Sequence, residues 1–322
     1  MNYRKLGTTD LVVSELCFGP MRFNPNEKNE KGQNALDVAI DNGVNFIHSS
    51  YEYETIELLG ECLGKHPKRH DLFHIIKIPV PTFNEKKFDK AMFRKRIEDA
   101  LRTLHTDRID IVQHLHRGVS NKDVWHVEGD PERFAQFPEV IAEATDEFSQ
   151  LKKEGKVGFL ASFPMTPGYA GMAVKSGKYS ALVAYFNLIE TEMAQFFPEM
   201  KKNGVGFIAI RPLLRGMITD KRVNRNALPG DDPLKSDKYD DAYELFSKVR
   251  QVMPDPGMSW ESFGVKYCLA DAMVTSVVMG LNNPAQAAAA VEAADGNYPD
   301  MKLINEIRNA VKLNHKGRNT WN

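Results

Sequence analysis

Short apolar runs of strand character alternate eight times with helical runs along this chain. A representative unit starts with the apolar run 44–47 and continues into residues 55–64, where apolar residues recur at helical spacing. A helix that follows each strand returns the chain to the same edge, so this alternation produces a parallel sheet. Eight such units predict a (β/α)8 TIM barrel.

The predicted barrel strands cover residues 16–19, 44–47, 72–78, 109–113, 157–161, 181–185, 205–210 and 274–279. The predicted helices cover about 32–42, 55–64, 86–104, 137–154, 168–175, 190–202, 239–252, 259–270, 284–294 and 299–314, which includes extra C-terminal helices. Residues 3–14 precede the repeats and predict an N-terminal β-hairpin. An open doubly wound sheet would carry a Gly-x-Gly-x-x-Gly turn after its first strand, and this chain has none. No linker divides the sequence, so we expect a single domain over residues 1–322.

The overall composition is that of a globular protein with a sizeable core, with 42% hydrophobic residues and a net charge of -1. The charges of both signs are interspersed, so we expect neither nucleic acid nor a membrane as a partner. Three cysteines lie far apart without metal-ligand spacing, and no segment approaches membrane-spanning length. These features predict a cytoplasmic protein, and they leave the oligomeric state open.

Ionisable side chains cluster where the predicted strands end. His48 and Tyr53 follow the second strand, Lys77 ends the third, and His114 and His116 follow the fourth. The carboxyl ends of barrel strands meet at one mouth, where TIM-barrel enzymes carry their active sites. A neighbouring ammonium stabilises a phenolate and lowers its pKa, so Lys77 would bring Tyr53 into range as a general acid. Each of these residues alone is also compatible with an ordinary packing or surface role.

Several segments resemble the aldo-keto reductases, in order and over nearly the whole chain. They are the opening hairpin 6–14, the block 43–60, which contains Tyr53, Glu57 and Gly60, the motif 208–216, and the segment 277–284. The resemblance implies an NAD(P)H-dependent oxidoreductase that reduces the aldehyde or ketone of a small-molecule carbonyl substrate by hydride transfer. NADPH is the implied cofactor, and NADH is the second candidate.

That family uses an Asp–Tyr–Lys–His tetrad around the carbonyl oxygen. Tyr53 falls on the general acid and Lys77 on its partner, whereas His48 stands where the family has the aspartate. A neutral imidazole at His48 cannot offset the ammonium charge of Lys77 in a dry site. The resemblance therefore implies a site whose charge balance is altered.

The histidine of the tetrad is also displaced. Counting five residues from Asp110, as in the family motif, gives Leu115, with His114 and His116 on either side. A shift of one residue along a strand turns a side chain to the other face. A β-bulge at 114–115 would restore His116 to the mouth, and His116 is the residue that we favour.

The resemblance assigns cofactor contacts to Gly19, Met21, Ser162, Asn187, Arg211, Pro212, Leu213, Gly216, Gly280 and Asn282. Other cofactor positions depart from the family pattern, at Phe163, Val183 and Ile210. Asn282 replaces the basic residue that pairs with the 2′-phosphate, which costs roughly 1.5–3 kcal/mol of charge-assisted binding. Arg211 and Arg215 are candidates to compensate.

Two alternatives remain open. The departures from the tetrad also fit a reductase-like barrel that has lost or altered its catalysis and acts as a binding or regulatory protein. His48, His114 and His116 would suit zinc only if strand three did not separate them, so we predict no metal site. The loops 117–134, with Trp125, and 217–238 would lie at the mouth and shape the choice of substrate.

Overall fold

A computed structural model of the protein describes residues 1–21, 30–120 and 129–312. Eight parallel strands form a closed barrel, a two-stranded hairpin precedes it, and helices surround it. The predicted (β/α)8 TIM barrel with an N-terminal β-hairpin and extra C-terminal helices is therefore confirmed. Trp125 lies outside the described residues.

The hairpin consists of β1 (Tyr3–Lys5) and β2 (Val12–Ser14). The barrel strands are β3 (Leu16–Gly19), β4 (Phe46–Ser50), β5 (Phe73–Pro79), β6 (Ile109–Leu115), β7 (Val157–Phe163), β8 (Ala181–Tyr185), β9 (Gly206–Ile210) and β10 (Val274–Gly280). The helices are α1 (Glu30–Asp41), α2 (Ile56–Lys65), α3 (Lys90–Thr103), α4 (Pro131–Lys153), α5 (Pro167–Ser176), α6 (Phe197–Asn203), α7 (Asp240–Val252), α8 (Trp260–Ala270), α9 (Pro284–Ala293) and α10 (Met301–Ala310). The strands pair in chain order, and β10 closes the barrel against β3.

The hairpin closes the amino-terminal end of the barrel. Leu6, Leu11 and Val13 belong to the same buried cluster as Cys17 and Phe46, which face the barrel interior. The second and larger cluster fills the layer between the strands and the helices. With the amino-terminal end filled by apolar side chains, the carboxyl ends of the strands form the mouth of the barrel.

Several boundaries differ from those that the sequence predicts, and one of them moves a candidate residue. Strand β4 begins at Phe46 and runs to Ser50, so His48 lies inside the strand rather than after it. Helix α4 starts six residues earlier than predicted, because Asp130 caps it by accepting a hydrogen bond from the Glu132 amide. The helix predicted over 190–202 is a 3-10 turn followed by the short helix α6.

No helix within residues 1–21, 30–120 and 129–312 has the length and apolar character that a membrane crossing requires.

Alanine substitutions at two glycines of helix α2 are expected to change the stability of the protein in opposite directions. A methyl group at Gly60 would collide with the carbonyl oxygen of Thr103 at the end of α3, whereas Gly64 has open space around it. We expect Gly60→Ala to lower the free energy of unfolding by about 1–3 kcal/mol, because the two helices must move apart. Gly64→Ala is expected to raise it by about 0.5–1 kcal/mol, because alanine restricts the unfolded chain. Urea denaturation of the two variants measures both effects, and equal effects of the same sign would contradict this packing.

Candidate active site

Tyr53 and Lys77 meet at the mouth of the barrel. Lys77 lies in β5, and its ammonium donates a hydrogen bond to the Tyr53 hydroxyl over a nitrogen–oxygen distance of 3.5 Å. The same ammonium lies 4.7 Å from the centroid of the Tyr53 ring. Both side chains keep part of their surface accessible. The structure thus brings together the two residues on which the predicted chemistry depends.

His48 lies below this pair, inside the barrel. Its Nε2 is 2.9 Å from Oε1 of Gln113 on β6, and both side chains are buried. Burial and, secondarily, the charge of Lys77 lower the pKa of His48 to about 3, although the Gln113 hydrogen bond opposes this shift. His48 is therefore neutral at pH 7, and the aspartate position of the family carries no negative charge here.

His114 and His116 do not reach the mouth. Strand β6 pairs with β5 and β7 in continuous register through residues 114 and 115, so the β-bulge that would turn His116 inward is absent. The His114 ring lies 2.8 Å from the Val80 carbonyl oxygen and packs against Phe93 in the outer layer. The His116 ring packs against Phe137 and Tyr169, also outside the barrel. The geometry gives His116 no contact with Tyr53, because successive strand residues face opposite sides.

The inward position of β6 nearest the mouth is apolar instead. Leu115 forms a small buried cluster with Phe163 and Met165, against which Tyr185 and Ile210 pack. The Phe163 and Tyr185 rings meet edge to face with centroids 5.4 Å apart. Where the family has a histidine, this site therefore has a water-excluding wall.

Two ion pairs at the mouth were not found by sequence reasoning. Arg117, just after β6, pairs with Glu52, the residue before Tyr53. Arg211, just after β9, lies 3.7 Å from a Glu190 oxygen and 4.2 Å from the Tyr185 ring centroid. Each pair joins residues that are distant in sequence and that only the closed barrel brings together. The sequence feature that could have indicated these residues is the position of Arg117 and Arg211 directly after strand ends.

Burial controls the protonation of the central pair. It lowers the pKa of Lys77 to about 8, with Glu52 raising and Arg117 lowering that value. Burial also raises the pKa of Tyr53 above its ordinary value, and Tyr185 and Glu52 add to the increase. The net shift of the Tyr53 pKa is therefore upward, opposite to the direction expected from the sequence. A phenolate and an ammonium both lose hydration here without a carboxylate to balance them.

The residues assigned to the nicotinamide end are only partly suited to it. Ser162 is buried at the end of β7 and Gly19 at the end of β3, while Met21 is half exposed. Asn187 is committed to its own loop, because its amide nitrogen donates to Glu190 and to the Arg211 carbonyl oxygen. Its Oδ1 accepts from two backbone amides. Asn187 therefore braces the loop after β9.

The loop after β9 adopts an unfavourable backbone conformation. Arg211, Leu214 and Arg215 all have positive φ angles of 63°, 41° and 57°. Left-handed conformations of non-glycine residues cost about 1–3 kcal/mol each and are concentrated at functional sites. Pro212, Leu213 and Gly216 lie in the same segment, which ends in the 3-10 turn Leu214–Gly216. Three left-handed residues within five positions therefore concentrate backbone strain in this segment.

The end of β10 offers open space next to a buried acceptor. A side chain built at Gly280 would meet nothing within 4 Å. Asn282 follows it, and its Oδ1 is buried without a hydrogen-bond partner among the described residues. Together with the exposed Arg215, these residues suit the phosphate and ribose end of a dinucleotide. The chain therefore fits a dinucleotide at that end and departs from the family at the nicotinamide end.

The described part of the chain holds no group of three His, Cys, Asp or Glu side chains that could bind a metal ion. His48 faces the barrel interior, whereas His114 and His116 face the outer layer.

The comparisons with known proteins point to one family. A profile described as the Aldo/keto reductase family matches residues 15–311. The chain is 25% identical to the uncharacterized oxidoreductase YqkF of Bacillus subtilis, covering 97% of each protein. It is also 25% identical to L-galactose dehydrogenase of Arabidopsis thaliana, covering 94% of this chain and 92% of that one. The holo form of aldo-keto reductase AKR11C1 from Bacillus halodurans has the same fold, with a TM-score of 0.73, 23% identity and 99% coverage of both chains.

The protein belongs to the aldo-keto reductase family, as the match over residues 15–311 shows. The family and the oxidoreductases among its relatives support a general oxidoreductase role.

Proposed function

We propose that the protein is an NAD(P)H-dependent reductase of small aldehydes or ketones. The observation that carries this proposal is the hydrogen-bonded pair of Lys77 and Tyr53 at the mouth of a barrel of this family. A nicotinamide cofactor, when bound, supplies the hydride. NADPH is the proposed cofactor. NADH is kept as the second candidate, because Asn282 offers no positive charge to the 2′-phosphate of NADPH.

In this proposal the chain itself binds the carbonyl and moves one proton. The Tyr53 hydroxyl donates its proton to the carbonyl oxygen as negative charge develops there. The Lys77 ammonium stabilises the phenolate that remains. The Leu115 and Phe163 wall excludes water, which strengthens both interactions. His48 lies below the pair, with its ring centroid 6.3 Å from that of Tyr53 and its Nε2 turned to Gln113.

The proposed cofactor site uses the carboxyl ends of β3, β9 and β10. Arg211, Pro212, Leu213 and Gly216 would surround the pyrophosphate, with the exposed guanidinium of Arg215 beside them. Gly280 and Asn282 would contact the adenosine end. Ser162 is left out, because it pairs in register with the outward-facing His114 and therefore faces the outer layer. His116 is left out of the proposed catalytic set, because its ring lies outside the barrel.

The pKa of Lys77 predicts how reduction depends on pH. Since that pKa is about 8, the ammonium is present at pH 7 and is lost as the pH rises through 8. We expect kcat/KM for carbonyl reduction to fall by up to about tenfold per pH unit above that value, because the phenolate loses its stabilising charge. A pH profile of kcat/KM with a fixed cofactor tests this expectation. A profile that stays flat to pH 10 would show that the Lys77 charge plays no part.

Fluorescence titration with NADPH and NADH, followed by an assay of cofactor oxidation with a panel of aldehydes, tests the proposed function. Binding and aldehyde-dependent oxidation of either cofactor are expected. If the protein binds neither NADPH nor NADH, the proposal is overturned.

The neutral His48 and the apolar Leu115 favour a second function, that of a binding or regulatory protein. The same titration separates the two functions. Tight cofactor binding without oxidation by any aldehyde would support the second one.

We also propose a cytoplasmic location without a nucleic-acid partner. All three cysteines are free and buried, which suits a reducing compartment, and the net charge is close to zero.

A further inference from the structure

Lys77 is a cation at the mouth of the barrel, and no carboxylate among the described residues is in contact with it. In the described part of the chain, no carboxylate oxygen lies within 4.0 Å of its Nζ, and its hydrogen bond goes to the Tyr53 hydroxyl. The family's aspartate position is occupied by His48, which is turned toward Gln113. An ammonium held in this way is stabilised less than one in an ion pair.

The groups that face Lys77 come from three parts of the fold. His48 lies below it on β4, Glu52 and Tyr53 lie in the segment after β4, and Arg117 follows β6. Glu52 is committed to Arg117 by an ion pair, so its charge reaches Lys77 only at a distance and partly cancelled. The net effect of burial and these neighbours lowers the pKa of Lys77 to about 8.

Lys77 also keeps part of its surface accessible. Lys77 and Tyr53 keep part of their side chains accessible, whereas His48 and Gln113 beneath them are buried. Lys77 pairs with Gln113 across the β5–β6 ladder, and Leu115 lies one inward position nearer the mouth. A small aldehyde that enters the mouth would therefore meet the amine and the phenol beside an apolar wall.

We propose that Lys77 captures aldehydes reversibly as an imine, with Tyr53 moving the protons. The Nζ lone pair attacks the carbonyl carbon, a carbon–nitrogen bond forms, and the carbonyl oxygen takes the Tyr53 proton. The nitrogen then returns one proton to the Tyr53 phenolate, and its second proton passes to the hydroxyl group. The carbon–oxygen bond breaks, water leaves and the carbon–nitrogen double bond forms. The balance is one aldehyde and one amine to one imine and one water, with no oxidant or reductant. Buried lysines near other cations have the activated amine that this chemistry needs.

This activity goes beyond carbonyl reduction, because it requires no cofactor. The two activities also depend on opposite protonation states of Lys77. Reduction uses the ammonium and declines above pH 8, whereas imine formation uses the free amine and increases through the same pH. Tyr185 and Ile210 cover the buried cluster of Leu115, Phe163 and Met165 and keep part of their own surface accessible, which favours aldehydes with an apolar chain.

The test is to incubate the full chain with hexanal, without cofactor, and to quench timed samples with sodium borohydride. Borohydride fixes each imine as a secondary amine, which peptide mass spectrometry assigns to individual lysines. At pH 7 about 9% of a lysine with pKa 8 is free amine, against about 0.04% at the ordinary pKa of 10.4. We expect Lys77 to react at least about tenfold faster than the exposed Lys65 and Lys221, with half of its maximal rate near pH 8.

Two variants of His48 form a matched pair for this test. His48→Asp places a carboxylate below Lys77 and is expected to lower its capture rate at pH 7 at least about tenfold, with a higher pH midpoint. His48→Asn introduces a side chain of nearly the same shape as aspartate but without the charge. It is expected to retain the fast capture rate of Lys77. Equal rates in the two variants, or a Lys77 rate no greater than that of Lys65, would overturn the proposal. A failure of carbonyl reduction alone leaves these rates unchanged, so the two results are distinguishable.

Discussion

Replacing Tyr53 with phenylalanine is expected to reduce kcat/KM for carbonyl reduction by about 10²–10⁴-fold, the usual contribution of a general acid. The variant keeps the ring over which the Lys77 ammonium lies and removes only the proton donor. Cofactor affinity should remain within about twofold, because Tyr53 is not among the proposed cofactor contacts. Steady-state kinetics and a cofactor fluorescence titration of the same sample measure both quantities.

Tyr51→Phe is the matched control for this prediction. The Tyr51 hydroxyl donates to Asp99 on α3, and its ring packs in the outer layer rather than at the mouth. Removal of that hydroxyl should leave the kinetics unchanged. Wild-type activity in Tyr53→Phe, or equal losses in both variants, would exclude Tyr53 as the acid.

Replacing Arg133 with methionine is expected to lower the free energy of unfolding by about 3–4 kcal/mol, a large effect for one substitution. Arg133 is only 3% exposed. Its guanidinium donates to the backbone carbonyl oxygens of Thr82, Phe83, Glu85 and Arg117. Methionine fills much of the same volume but leaves these acceptors without a donor. Urea denaturation measures the loss.

An exposed arginine provides the comparison for Arg133. The Arg102 side chain is 70% exposed and pairs with Asp99 on the surface of α3. Surface ion pairs contribute about 0–1 kcal/mol, so Arg102→Met should change stability by less than that. A cost below about 1 kcal/mol for Arg133→Met would show that water satisfies the carbonyl groups equally well.

The barrel could be predicted from the sequence because its signal repeats. Each strand is a short apolar run and each helix has its own periodicity, so errors in single boundaries do not change the count of eight units. Tyr53 and Lys77 could be placed at the mouth because strand ends share one edge of the barrel. The β-bulge that was expected to bring His116 to the mouth is absent, because β6 keeps a continuous register through residues 114 and 115.

The electrostatics of the site could not be predicted from the sequence. Glu52 pairs with Arg117 across 65 residues, and Arg133 binds carbonyl groups up to 51 residues away. Neither partner follows from a local pattern, because the closed sheet and the path of the loops determine which groups meet. Burial reversed the expected direction of the Tyr53 pKa, since the effect of Lys77 depends on a hydration that the sequence does not reveal.

The replacement of aspartate by His48 links the proposed activities. It removes the negative charge beside Lys77. Because the pKa of Lys77 is about 8, Lys77 is an ammonium at neutral pH and a free amine in mild alkali. The same side chain can therefore assist Tyr53 in reduction or attack an aldehyde, depending on pH.

Hydride transfer itself is the most direct test of the central claim. The protein should be incubated with an aldehyde and with NADPH or NADH that carries deuterium at the transferable nicotinamide position, and the alcohol analysed by mass spectrometry. We predict an alcohol that contains one deuterium atom per molecule, formed at a rate that Tyr53→Phe reduces by about 10²-fold or more. Bound cofactor together with no deuterated alcohol from any aldehyde would contradict the reductase and favour the binding function.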